Sequence, residues 1–203
     1  MIPWSEPGPA FHAPAGSLDI YQSIQRLEPG AWVAAHTHEG PESGVVLAGP
    51  IARHEAGMTR TFAAGATFCT PAGTVHATGN PSAHPVEAIT LHVVRAGSPF
   101  STPCACETAP PARPGSTNPA RSIVRGIALA VTSMRARHAR VALTAPDSLG
   151  PFPAIVTVLA GSVRAAGGPL VAPAFAWLMP AAELAPLGGP AELLLTRFEE
   201  APT

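Results

Sequence analysis

Charge is what this sequence has least of. Only 12% of its 203 residues are Asp, Glu, Lys or Arg, and they balance to a formal net charge of −1. No basic stripe is left to recognise nucleic acid or an anionic membrane surface, so neither partner is expected and a small-molecule ligand is. Long apolar runs are missing too: no segment is apolar for long enough to span a bilayer. The start, Met1-Ile2-Pro3-Trp4-Ser5-Glu6-Pro7, has neither the basic opening nor the apolar stretch of a secretory signal, which points to a cytoplasmic protein. Cysteine is scarce. Cys69, Cys104 and Cys106 make an odd number, and the last two stand too close together for an ordinary disulfide, so free thiols are expected.

What is abundant is apolar residues, at 46%, with 25 prolines and 19 glycines. The first supplies a core; the second and third interrupt helices while serving turns and strand ends. Short β-like runs follow one another at Asp19 to Leu27, Ala31 to His36, Gly44 to His54, Thr67 to Thr70 and Ala88 to Arg95. Others come at Ile123 to Thr132, Val141 to Leu143, Ile155 to Val163, Phe175 to Met179 and Glu192 to Phe198. Many short strands between turns predict an all-β sandwich or barrel. Between the two groups the chain turns to Ser, Thr, Pro and Ala, a linker composition.

The two groups also repeat each other. Val46-Leu47-Ala48-Gly49 recurs as Val158-Leu159-Ala160-Gly161, each followed by an apolar residue and an arginine. Phe68-Cys69-Thr70-Pro71-Ala72 lines up with Trp177-Leu178-Met179-Pro180-Ala181. Two matches in register indicate a duplicated barrel.

Chemistry concentrates in the first half, in Ala35-His36-Thr37-His38-Glu39-Gly40-Pro41-Glu42. Alternate side chains of a strand share a face, so His36 and His38 project to one side. The Gly40-Pro41 turn can return Glu42 to that side. A further candidate, His76, follows the tight turn of Pro71 and Gly73. Three imidazoles and a carboxylate from neighbouring strands suit one side of a metal octahedron and leave positions for water, substrate or dioxygen.

These residues resemble the cupin superfamily. Gly30, His36, His38, Glu42 and Gly49 have the spacing of its first motif, and Gly65, Pro71, Gly73, His76 and Asn80 that of its second. The resemblance implies a double-stranded β-helix of jelly-roll type, duplicated as a bicupin. It implies a divalent metal held by His36, His38, Glu42 and His76 inside the barrel, with iron expected and manganese, nickel or zinc as alternatives. The expected organisation is a metal-binding N-terminal barrel over 1–100, a Pro-rich linker over 101–120 and a degenerate C-terminal barrel over 121–203. Carried along the repeat, His36, His38 and Glu42 fall on Ser148, Gly150 and Ala154, and His76 falls near Ala185.

His92 lies in a strand run and is a candidate outer-shell base, with Glu42 as a second proton-exchanging group. His12, His54, His84 and His138 have no ligand-like spacing. Cys104 and Cys106 read as free loop thiols and Cys69 as packing; the arginines at 135, 137 and 140 read as a solvated strand face. Val33, Val46, Phe68 and Ile89 suggest hydrophobic surroundings for the metal and hence an aromatic, diketone or polyketide-like substrate. The expected activity is a dioxygenase-type oxidoreductase; a cupin isomerase or decarboxylase is the alternative, as is a non-catalytic ligand-binding bicupin. Pirin-like proteins resemble that last arrangement, but their His-x-His-Arg-Gly-Phe-Glu signature is replaced here by His36-Thr37-His38-Glu39-Gly40-Pro41-Glu42. Apolar edge strands suit a homodimer, since association covers exposed edges.

Overall fold

In the computed structural model, residues 8, 10–105, 108–128, 133–150 and 153–201 are described. None of these is helical, as the proline and glycine content requires. Two compact units emerge, Phe11–Ser133 and a second that includes Met134–Thr203.

The first unit contains β1 (Phe11–His12), β2 (Leu18–Leu27), β3 (His36–Thr37), β4 (Glu42–Ala48), β5 (Ile51–Glu55) and β6 (Met58–Phe62). It continues through β7 (Thr67–Thr70), β8 (His76–Gly79), β9 (Val86–Arg95), β10 (Thr102–Pro103) and β11 (Ser116–Ile127). Ten of these strands form two antiparallel sheets, in the orders β11-β2-β9-β4-β7 and β10-β3-β8-β5-β6. Together they make the jelly-roll double-stranded β-helix that the sequence predicts.

The second unit contains β12 (Ser133–Leu143), β13 (Asp147–Ser148), β14 (Ala154–Ala160), β15 (Ser162–Ala165), β16 (Gly168–Val171), β17 (Ala174–Leu178), β18 (Glu183–Pro186) and β19 (Ala191–Glu200). It repeats the ladder of the first. β4 is flanked by β9 and β7, and β14 by β19 and β17. A register shift falls between Val46 and Ala48 in one and between Val158 and Ala160 in the other. The repeated Val-Leu-Ala-Gly therefore marks the same bulge twice.

Strand parity divides the interior of the first barrel into two zones. Along β4, Glu42, Gly44 and Val46 share one face. Val46 joins Leu27, Ala31, Ile51, Phe68, Val86 and Ala88 in an apolar cluster, while Glu42, at the other end of the strand, reaches a polar cavity. Gly44 between them is there for space: a Cβ would lie 2.2 Å from the Phe68 ring.

Several expected boundaries shift. Ala31 to His36 is mostly irregular, with Trp32 bridging Gly79 and Arg113, and Gly44 to His54 splits into β4 and β5 at Gly49-Pro50. The largest difference lies in the stretch 101–120 expected as a linker. It supplies β10, which pairs with β3, and the start of β11, which pairs with β2. Both are edge strands, where a proline that cannot donate to the ladder is tolerated. Pro119 sits inside a register irregularity between Thr117 and Ala120. Proline content there signals edges rather than a flexible tether.

Candidate metal centre

The sequence elements around the two motifs bring three histidines together. His36 on β3 pairs directly with His76 on β8, and their rings are 4.4 Å apart between centroids. His38 lies one residue beyond β3, yet its ring is 4.9 Å from that of His36 and 5.2 Å from that of His76. One nitrogen from each of the three, His36, His38 and His76, lies within 4.8 Å of the others.

Each ring is pinned by its other nitrogen to a main-chain carbonyl. Nδ1 of His36 donates to Ala34 O at 2.7 Å, Nδ1 of His38 to Phe100 O at 2.5 Å and Nδ1 of His76 to Thr74 O at 3.0 Å. A carbonyl only accepts, so Nδ1 carries the proton in all three rings and Nε2 carries a lone pair. The Nε2 atoms of His38 and His76 are buried with no hydrogen-bond partner. Buried lone pairs without donors are costly; a divalent cation satisfies them, and imidazole nitrogen with carboxylate oxygen is a suitable donor set for iron, manganese, nickel or zinc. Burial also disfavours the charged form of His36 and His38. It lowers the His36 pKa, and it pushes that of His38, helped by the neighbouring His92, to about 3.

Glu42 completes the group with a partner that the motif does not contain. Its Oε2 lies 3.0 Å from His76 Nε2, two acceptor atoms facing each other, which a shared cation would reconcile. Both of its oxygens also receive a fork from Arg53 on β5. Nη2 donates to Oε2 at 2.6 Å and to Thr70 Oγ1 at 2.7 Å; Nη1 donates to Oε1 at 3.1 Å and to Thr78 Oγ1 at 3.1 Å. The guanidinium stacks 4.4 Å from the centre of the Phe68 ring, and that ring fills the space that Gly44 leaves. Burial alone would raise the Glu42 pKa; the charge of Arg53 overrides it and holds the group well below the usual carboxylate range.

His92 stands beside this set, opposite Glu42 in the β4 and β9 ladder. Its Nε2 is 3.6 Å from Glu42 Oε1, its ring is 4.1 Å from that of His38, and its Nδ1 is buried without a partner. Burial lowers its pKa, so the ring is neutral. His38, Glu42 and His92 make a second group with donor atoms within 4.8 Å of one another.

The cavity over these residues measures about 230 Å³. That is room for about eight waters at liquid density and below the roughly 300–1,000 Å³ of pockets for drug-sized ligands. Ser23, Gln25, Thr78, Thr90 and Asn118 contribute polar walls, and Phe100 packs over both His38 and His92. This corrects the expected hydrophobic setting. Val33 does line the cavity, but Val46 and Phe68 belong to the apolar cluster and do not line it. Ile89 alternates with Thr90 and so faces away.

Among the remaining candidates, Cys69 lies on the β7 face opposite to Phe68 and Thr70, and burial, followed by Glu42, pushes its thiol up to about 11. A neutral thiol on that face is packing. Cys104 donates to Thr37 Oγ1 at 3.8 Å, and Cys106 lies outside the described residues. In the second unit, Ala154 pairs with Leu178 and Arg197 as Glu42 pairs with Thr70 and His92. Pairing of Arg164 with Ala185 sets the neighbouring Leu184 on the buried side, and Ala154, Val163 and Leu184 join one apolar core. Arg53, Phe100 and the β11 residues were not among the sequence candidates; an arginine at an inward-facing strand position was the one available signal.

Residues 23–94 match the family described as the cupin domain. Over nearly the whole chain the fold is similar to YhaK from Escherichia coli, with a TM-score of 0.56 at 16% identity, covering 93% of this chain and 92% of that one. It is also similar to a single-site variant of oxalate decarboxylase from B. subtilis, with a TM-score of 0.55 at 11% identity, covering 95% and 74%. A Cupin 2 conserved barrel domain protein from Salinispora arenicola CNS-205 is 23% identical over 36% of this chain, which spans 61% of that protein's length, with a TM-score of 0.35. No curated protein matches the chain.

Proposed function

We propose that this chain, which belongs to the cupin superfamily, is a metal-dependent small-molecule oxidoreductase of dioxygenase type. One divalent ion, iron in the first place, is held in the N-terminal barrel by His36, His38, His76 and Glu42. A single observation carries the reading: three Nδ1–H groups are spent on main-chain carbonyls, which turns the Nε2 lone pairs toward one another beside a buried carboxylate. Such an ion would supply a Lewis-acid or redox centre able to activate an oxygen ligand or dioxygen. Four protein donors leave two octahedral positions, and the cavity gives them space.

The chain's own groups divide the remaining work. Arg53 keeps Glu42 ionised and in one orientation. His92, neutral and with an unpaired nitrogen beside the donors, is the outer base that takes a proton from substrate and returns it. Phe100 covers His38 and His92 and limits water around them. The C-terminal unit has Ser148, Gly150, Ala154 and Ala185 at the corresponding places, so its role in this reading is structural, one metal serving one chain.

Elemental analysis of protein purified without added metal, followed by oxygen uptake on a panel of small organic acids, tests the reading. The expected result is one transition metal per chain with substrate-dependent oxygen consumption. Carbon dioxide release without oxygen uptake would move the activity to decarboxylation, and ligand binding without turnover would make the chain a binding module.

A further inference from the structure

The charges around the cavity are unequal in a way that selects a ligand. Among the described residues that line it, Glu42 is the one acid, and Arg53 cancels its charge through both oxygens. Glu55, two residues along β5 from Arg53, does not line the cavity. A divalent ion held here therefore keeps positive charge that Glu42 does not cancel, inside a buried site where screening is weak. Glu55, opposite His76 and with one buried unpartnered oxygen, is the one further carboxylate on that face of β5.

A second guanidinium marks the rim. Arg121, exposed on β11, lies 4.4 Å over the ring of Phe100 and 5.3 Å from that of Tyr21. Phe100 is itself part of the cavity wall. No carboxylate among the described residues pairs with Arg121, so its charge is available at the entrance. Ser23, Gln25, Thr90 and Asn118 on the walls offer neutral hydrogen-bonding groups.

We infer that the substrate is a small carboxylate anion, drawn in by Arg121 and received by a metal centre whose charge Glu42 does not offset because Arg53 already does. The inference rests on the metal reading above and adds the class of ligand to it. The anion binds with its carboxylate toward the ion and its remaining polar atoms toward Ser23, Thr90 and Asn118. The cavity of about 230 Å³ limits it to a compact molecule. Arg121 attracts the anion by long-range charge, an effect that salt weakens.

Calorimetric titration of zinc-loaded protein with glycolate and with its neutral counterpart glycolamide tests this without depending on turnover. Glycolate should bind at least about tenfold more tightly than glycolamide, and added salt should narrow the gap. Arg121→Met should weaken glycolate about fivefold while leaving both glycolamide binding and zinc content unchanged. Equal binding of the two ligands to zinc-loaded protein would overturn the inference and leave the metal reading intact. An Arg121→Met variant that binds glycolate as the parent does would remove Arg121 from it. A chain that takes up no zinc would fail at the earlier step, the metal reading itself.

Discussion

Arg53 grips Glu42 through both carboxylate oxygens, at 2.6 and 3.1 Å, with each side chain only 4% exposed. A pair this deeply buried gains little by existing but loses much by being halved, because the surviving charge has no solvent to turn to. Arg53→Met alone should therefore cost about 3–5 kcal/mol of stability. The double replacement Arg53→Met with Glu42→Gln should recover most of that loss. Urea unfolding of the three proteins decides it; a double variant no more stable than the single one would mean that the guanidinium contributes through Phe68, Thr70 and Thr78 instead.

Metal stoichiometry follows from the same barrel. His38 provides a nitrogen to both donor groups, His36 with His76 and Glu42 with His92, so it is the residue without which neither group closes. His38→Ala should reduce bound metal from one ion per chain to a small fraction, whereas His92→Phe should leave the content near one. Inductively coupled plasma analysis of dialysed protein reads both. Equal loss in the two variants would shift the centre toward the His38, Glu42 and His92 group.

The clustering of His36, His38, Glu42 and His76 was legible in the sequence because their spacing is tied to strand parity and to two tight turns, both local properties. Arg53 was not, although it stood in plain view as a feature of the repeat. Its partner lies eleven residues earlier on another strand, and the arginine that follows the second Val-Leu-Ala-Gly, Arg164, is exposed. Arg53 stands four residues after its glycine and Arg164 three, so the two fall on opposite faces of their strands. The cavity's polarity was misread for a similar reason: Val46 lies four residues along β4 from Glu42, and Phe68 packs under Arg53 with the apolar cluster, so neither lines the cavity. The 101–120 stretch failed as a linker because composition reports proline and not the edge position that accommodates it.

Gly44 offers a test of how closely the apolar zone supports the polar one. A Cβ there would meet the Phe68 ring at 2.2 Å and the Ile89 carbonyl oxygen at 2.5 Å, and the oxygen belongs to a paired strand that cannot move away. Gly44→Ala should cost about 1–3 kcal/mol through overpacking. By displacing Phe68 it should also loosen the stacked Arg53 and weaken metal binding. Thermal unfolding together with a zinc titration would show both effects; unchanged zinc affinity in a destabilised protein would separate the ring from the site.

Acid should destabilise this protein through two buried histidines. Burial pushes His38 to about 3 and His138, in the second unit, to about 4, against about 6.5 for an unfolded histidine. Between those values the unfolded chain binds protons that the folded chain refuses, so stability rises with pH across the window. The contribution is fully present above about pH 6.5 and falls away as the pH drops toward 4 for His138 and toward 3 for His38. Glu42, beside Arg53, is held well below the usual carboxylate range. Metal-free protein should therefore show a urea midpoint that declines steadily from pH 7 to pH 4, and His138→Gln should flatten that slope, since Gln keeps a polar contact to Thr196 Oγ1 without a proton to gain. A midpoint independent of pH over that range would show that neither ring stays neutral in the folded state as its burial requires.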